Sequence, residues 1–182
     1  MSTTLDELLT WGHGPRTLEV FLEPTCPFSA RAFGKFEDLL CSAGEDRLTL
    51  KIRLQSQPWH TFSSVVCRAV LAAAQAQGRD AAWQVLKVVF ENRESFVLEK
   101  HASGPNLSKS PLDLLNLIEQ LSGLSVVQPF QLPELELAMK WQARYARQNG
   151  IHATPTFMVD GLVAPDISSG DEVAVWVTKL KP

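Results

Sequence analysis

Cys26 lies within Glu23-Pro24-Thr25-Cys26-Pro27-Phe28-Ser29, where strand-like residues hand over to helix-like ones. Pro27 suits the first helical position, which makes Cys26 the N-cap. A sulfur at that position faces unpaired backbone N–H groups and the positive end of the helix dipole. Both favour thiolate over thiol. Ser29, three residues on, is expected to bring a backbone N–H and a hydroxyl within reach of the same sulfur. The residue types therefore point to an activated thiol with a hydroxyl neighbour. A buried, inert cysteine is the competing reading, and packing alone explains an N-cap cysteine poorly. The other two thiols, Cys41 and Cys67, fall on helical segments beside apolar residues and are expected to pack as small hydrophobes.

The remaining polar candidates are more loosely defined. His60 follows Pro58-Trp59 in the loop after the second strand, either bordering the Cys26 site or standing as a solvated loop histidine. His152, three residues before Pro155, carries the same pair of readings. Trp59 is the tryptophan expected at a substrate groove, whereas Trp11, Trp83, Trp141 and Trp176 are expected in core or interface packing. Ser168, Ser169 and Gly170 form a candidate carboxylate cradle or an ordinary helix cap. The three cysteines and four histidines show no metal-ligand spacing, so no metal site is expected.

The elements that must position Cys26 are legible on either side of it. Thr17 to Glu23 reads as a buried strand between the turn signals Gly12, Gly14 and Pro15 and the following Pro24. Pro27 to Ala43 reads as one helix ending at Gly44, which would put Cys41 about 22 Å along it from Cys26. Leu48 to Gln55 alternates apolar and polar residues as a half-exposed strand would. Helical patterns then run from His60 to Gly150, punctuated by Gly78, by a Ser110-Pro111 start with a Gly123 stop, and by Pro133. Thr156 to Val159 returns to strand, Asp160-Gly161 signals a hairpin, and Leu162 to Ala164 is its return strand. Ser169-Gly170-Asp171-Glu172 reads as a capping box for a last helix. Strands at both ends must pair across the helices, so the chain is read as one α/β domain over 1–182 with a helical insertion at about 60–150.

Composition narrows the function classes. The chain has 182 residues, 45% of them hydrophobic, and a formal net charge of −3. That is ample for one core and argues against a dedicated nucleic-acid binder. Three cysteines are too few, and odd in number, for a disulfide framework. Asp6 and Glu7 interrupt the first apolar stretch and no basic region precedes it, so no secretory leader is expected. No segment approaches 18 consecutive apolar residues, so no membrane span is expected either. A cytoplasmic, reduced protein is the reading that follows.

With these residues in place, the chain resembles the thioredoxin superfamily. The Cys26-Pro27-Phe28-Ser29 box after a strand looks like the family's Cys-x-x-Cys box with its second cysteine replaced by Ser29. The helical insertion and the segment Ala153-Thr154-Pro155-Thr156-Phe157-x-Val159-Asp160-Gly161 are similar to the DsbA-like branch. So are the Gly12-x-Gly-Pro15 lead-in and the helix end Gln75-x-Gln-Gly78. The resemblance implies a thioredoxin-like fold with Cys26 as nucleophile and Pro155 as a cis-proline facing it. It also implies that the Thr154 backbone pairs with an extended substrate or with glutathione. Glu23 matches an acidic residue carried there by disulfide isomerase-like and kappa-class glutathione transferase-like relatives. Pro27, Phe28, Trp59 and His60 complete the expected substrate-binding set.

Ser29 marks the departure from the family pattern. A two-cysteine box resolves a mixed disulfide from within, and a serine cannot. Resolution is then expected from glutathione as co-substrate, or by shuffling of a substrate's own disulfides, with no tightly bound cofactor. The sequence therefore reads as a monothiol thiol–disulfide oxidoreductase or isomerase acting on protein or small-molecule thiols and disulfides. One alternative is a kappa-class glutathione transferase-like or hydroxychromene carboxylate isomerase-like enzyme, whose members place a serine where Cys26 stands. The other is a non-catalytic peptide-binding module.

Overall fold

The computed structural model describes residues 7–181, so Asp6 and the residues before it lie outside the described residues. Five strands form one sheet in the order β1-β3-β2-β4-β5. They are β1 (Thr10–Gly12), β2 (Arg16–Leu22), β3 (Leu48–Leu54), β4 (Thr156–Val159) and β5 (Leu162–Val163). β2 and β3 run parallel, with Val20 opposite Ile52, while β4 lies antiparallel on the other side of β2, with Phe157 opposite Val20. Strands from the two ends of the sequence thus meet at the centre of the sheet. Helices α1 (Pro27–Phe33) and α2 (Phe36–Ala43) connect β2 to β3. Between β3 and β4 come α3 (Ser63–Gln77), α4 (Arg79–Glu91), α5 (Pro111–Ser122) and α6 (Glu134–Gln148), and α7 (Val173–Lys179) closes the fold.

Period-two side-chain alternation divides the sheet into two buried faces. Leu18, Val20 and Leu22 of β2 and Leu50 and Ile52 of β3 join one core that continues through α3 and α4 to Leu114 and Ile118 of α5. Phe21 and Met158 point the other way, against Ala146 and Ile151, so α6 covers the second face. This overturns the half-exposed reading of β3, because Arg53 is only 4% exposed. Its guanidinium pairs with the buried Glu19 carboxylate through Nε at 2.6 Å and lies over the rings of Trp141 and Tyr145. The Tyr145 hydroxyl donates to Glu19 Oε1 at 2.9 Å. Burial draws the Arg53 guanidinium down to about 10, which still leaves it charged at neutral pH.

Three other sequence expectations need correcting. The helix read over Pro27 to Ala43 is two helices, broken at Gly34-Lys35, where the Lys35 N–H donates to Ala32 O only three residues back. Lys35 Nζ then donates to the Ser169 carbonyl at 2.8 Å, tying the break to the segment before α7. The turn signals Gly12 and Gly14 conceal β1, whose Trp11 pairs with Leu50. Gly12 has φ +74, and a Cβ there would lie 2.1 Å from the Leu48 carbonyl oxygen, so only glycine allows this approach. The capping box expected at Ser169 to Glu172 does not form, since Glu172 is the N-cap without a side-chain bond. Asp171 instead accepts the Ser168 N–H at 2.9 Å, which also occupies the expected carboxylate cradle. That N–H bond is the main reason the Asp171 carboxyl sits below the usual range.

Candidate active site

β2 ends at Leu22, and the chain turns through Glu23, Pro24 and Thr25 into α1. The Cys26 N–H donates to the Glu23 carbonyl at 3.0 Å, and the Ala30 N–H donates to the Cys26 carbonyl at 3.0 Å, opening the helix. Cys26 is the N-cap in extended conformation (φ −78, ψ 128), with Pro27 at the start of the helix. The residue is 5% exposed, and its thiol donates to the Thr154 carbonyl at 3.6 Å. The Thr154–Pro155 peptide bond is cis. β4 begins at Thr156, immediately after it, so the paired strands β2 and β4 position Cys26, beyond the end of one, and the proline loop, before the start of the other.

The expected hydroxyl–sulfur pairing is absent. Ser29 is fully buried, and its hydroxyl accepts the Glu23 N–H at 3.2 Å, with no hydrogen bond to the Cys26 sulfur. Ser29 therefore holds the end of β2 against the first turn of α1.

Glu23 is also fully buried, and its carboxylate is held by Thr25. The Thr25 N–H donates to Oε2 at 3.0 Å, and the Thr25 hydroxyl lies 3.0 and 2.9 Å from the two carboxylate oxygens. His60 is part of this network rather than a free loop histidine. Its Nδ1 is 3.1 Å from Thr25 Oγ1 and 3.6 Å from Glu23 Oε2. Arg93 Nη1 reaches the Thr25 carbonyl at 3.5 Å. The Gln57 side-chain amide donates to the His152 carbonyl at 3.2 Å, joining the loop after β3 to the loop before Pro155, while His152 itself is exposed. Thr25, Gln57 and Arg93 were missed by the sequence reading, and only Thr25, beside the cysteine, offered any signal there.

Phe28 and Trp59 present exposed apolar surface beside this network, at 55% and 69% exposure. Cys67 on α3 is fully buried. Burial drives its thiol well above the ordinary range, and the Glu23 carboxylate adds to the effect, so Cys67 stays protonated. Cys41 corrects its core expectation: it is exposed on α2. Among the described residues no group of His, Cys, Asp or Glu is arranged to hold a metal ion.

An N-cap cysteine against a cis-proline loop, on a mixed sheet with helices inserted before that loop, defines a thioredoxin-fold protein of DsbA-like architecture. Solved structures agree. A "putative protein-disulfide isomerase" from Pseudomonas syringae superposes with a TM-score of 0.95 at 55% identity, covering 98% of this chain and 100% of that one. The chain belongs to the same family as that protein. Chlamydia trachomatis DsbA (TM-score 0.69, 18% identity, 98% of this chain and 93% of that one) shares the fold. So does Pseudomonas aeruginosa DsbA2 (TM-score 0.65, 18% identity, 92% and 90%). A curated relative, the Na(+)/H(+) antiporter NhaA of Herminiimonas arsenicoxydans, is 31% identical over 145 residues, 80% of this chain. The match spans only 21% of the antiporter's length. No helix among the described residues is long and apolar enough to cross a membrane. No family model matches the chain.

Proposed function

We infer that the protein is a monothiol thiol–disulfide exchange enzyme with Cys26 as its nucleophile. The carrying observation is the 3.6 Å approach of the Cys26 sulfur to the Thr154 carbonyl, in a box whose fourth position is Ser29. The Cys26 thiolate attacks a substrate disulfide, one substrate sulfur leaves, and a mixed disulfide with Cys26 remains. Ser29 offers no thiol, Cys67 is buried and protonated, and Cys41 is exposed on α2. The mixed disulfide is therefore resolved by a thiol from outside, either glutathione or a second thiol of the substrate. Phe28 and Trp59 offer apolar contacts to an extended protein substrate whose backbone pairs beside Thr154. A supply of reduced glutathione suits a cytoplasmic setting.

The test is intact-mass analysis after exposure to glutathione disulfide. One glutathione is expected on Cys26, removed by excess reduced glutathione and absent in Cys26→Ser. A wild-type protein that never forms the adduct overturns the reading.

A further inference from the structure

Thr25 stands between the Glu23 carboxylate and the His60 ring. A carboxylate only accepts hydrogen bonds, and a threonine hydroxyl has one proton to give. Thr25 Oγ1 lies 3.0 and 2.9 Å from the Glu23 oxygens, so its proton is committed to that carboxylate. The contact between Thr25 Oγ1 and His60 Nδ1, at 3.1 Å, must then be donated by Nδ1–H. Neutral His60 is thereby held in the tautomer whose Nε2 carries the lone pair, and no described residue hydrogen-bonds to Nε2. The ring remains partly open, with 20% side-chain exposure, and it is anchored to the residue directly before Cys26.

We propose that His60 Nε2 accepts the proton of the resolving low-molecular-weight thiol. The inference rests on the monothiol reading. An ordinary thiol, which titrates near ~8.5, is mostly protonated at neutral pH and attacks poorly until it loses that proton. As its proton passes to His60 Nε2, the incoming sulfur attacks the substrate sulfur of the mixed disulfide. The S–S bond to Cys26 breaks, a new S–S bond joins the incoming and substrate sulfurs, and Cys26 departs as thiolate. One disulfide is consumed and one made, so no external oxidant or reductant enters. The proton then passes from His60 to solvent or to Cys26. In the reverse direction the imidazolium protonates the leaving sulfur.

The buried Glu23–Thr25 pair supports the imidazolium that forms, with Nδ1 facing Oε2 at 3.6 Å. Among the described residues, Arg93 reaches the Thr25 carbonyl, Cys67 acts on Glu23 from the α3 side, and Cys26 itself adjoins Thr25.

The test compares two thiols on wild type, His60→Ala and His60→Asn, each preloaded with a mixed disulfide on Cys26. Asparagine keeps a donor toward Thr25 and removes the base. Resolution by glutathione should slow about 100-fold in both variants, the usual scale of a lost general base. Resolution by 2-nitro-5-thiobenzoate, already ionised at neutral pH, should slow by less than about threefold, because it has no proton to lose. Added imidazole should restore glutathione resolution in His60→Ala. Equal slowing with both thiols, or no slowing with either, overturns the assignment of His60. A wild-type protein that cannot be loaded on Cys26 overturns the monothiol reading instead.

Discussion

The hydroxyl of Ser29 accepts the backbone N–H of Glu23 at 3.2 Å, so the residue three places after Cys26 clamps the strand end instead of serving the sulfur. Ser29 is fully buried one helical turn from Cys26. On the monothiol mechanism proposed above, Ser29→Cys should supply an internal resolving thiol. Mass analysis after oxidation should show a loss of two hydrogens, from a disulfide between Cys26 and the introduced thiol, in place of a persistent glutathione adduct. The lost hydrogen bond should cost about 1 kcal/mol in chemical denaturation. A variant that still accumulates the adduct would contradict the account of Ser29.

The buried pair of Glu19 and Arg53 makes a second prediction. Their oxygen and nitrogen approach to 2.5 Å, with side-chain exposures of 7% and 4%. Removing one partner strands a buried charge, so Glu19→Leu or Arg53→Met should destabilise by about 3–5 kcal/mol. The double variant, with two apolar side chains of similar volume under α6, should recover most of that loss. Urea unfolding of the four proteins measures the coupling directly. Additive losses would show that the pair is not coupled.

How far the sequence reached depended on the range of the signal. The junction at Cys26 was legible because Pro24, Pro27 and the flanking strand act within a few residues of each other. Ser110-Pro111 was legible for the same reason, and Ser110 and Asp113 do form a reciprocal capping box. Arg53 was misread because alternation within β3 carries no information about α6, which covers the second face from more than 80 positions away. Gly34 broke a helix whose apolar stripe continued unchanged past it. His60 and Thr25 are 35 positions apart, and no local pattern announces that a loop histidine returns to the cysteine turn.

Gly12 supplies a third prediction, about the strand that local signals concealed. With φ +74 and the Leu48 carbonyl 2.1 Å from where a Cβ would stand, Gly12→Ala incurs both backbone strain and a collision with backbone. The loss should exceed about 1 kcal/mol, the scale on which alanine stabilises at compatible sites. Amide exchange should rise in β1 and along β3 while the β2–β4 pairing keeps its protection. Uniform protection across the sheet would contradict the steric argument.

Cys67 predicts a specific alkaline weakness. Burial, reinforced by Glu23, raises its thiol in the folded state, whereas in the unfolded chain it titrates near ~8.5. A group raised on folding contributes its full stabilisation below the unfolded value and loses it as pH climbs toward the folded one. Above about pH 9 the unfolded chain therefore sheds a proton that the folded state keeps. Stability should fall by up to roughly 1 kcal/mol for each further pH unit from this residue alone. Cys67→Ala should lose some stability at neutral pH through the small cavity it leaves, yet show a shallower decline between pH 9 and 10.5. Thermal unfolding of the two proteins across that range is the measurement. Parallel declines would mean that the Cys67 proton is not what the folded state holds.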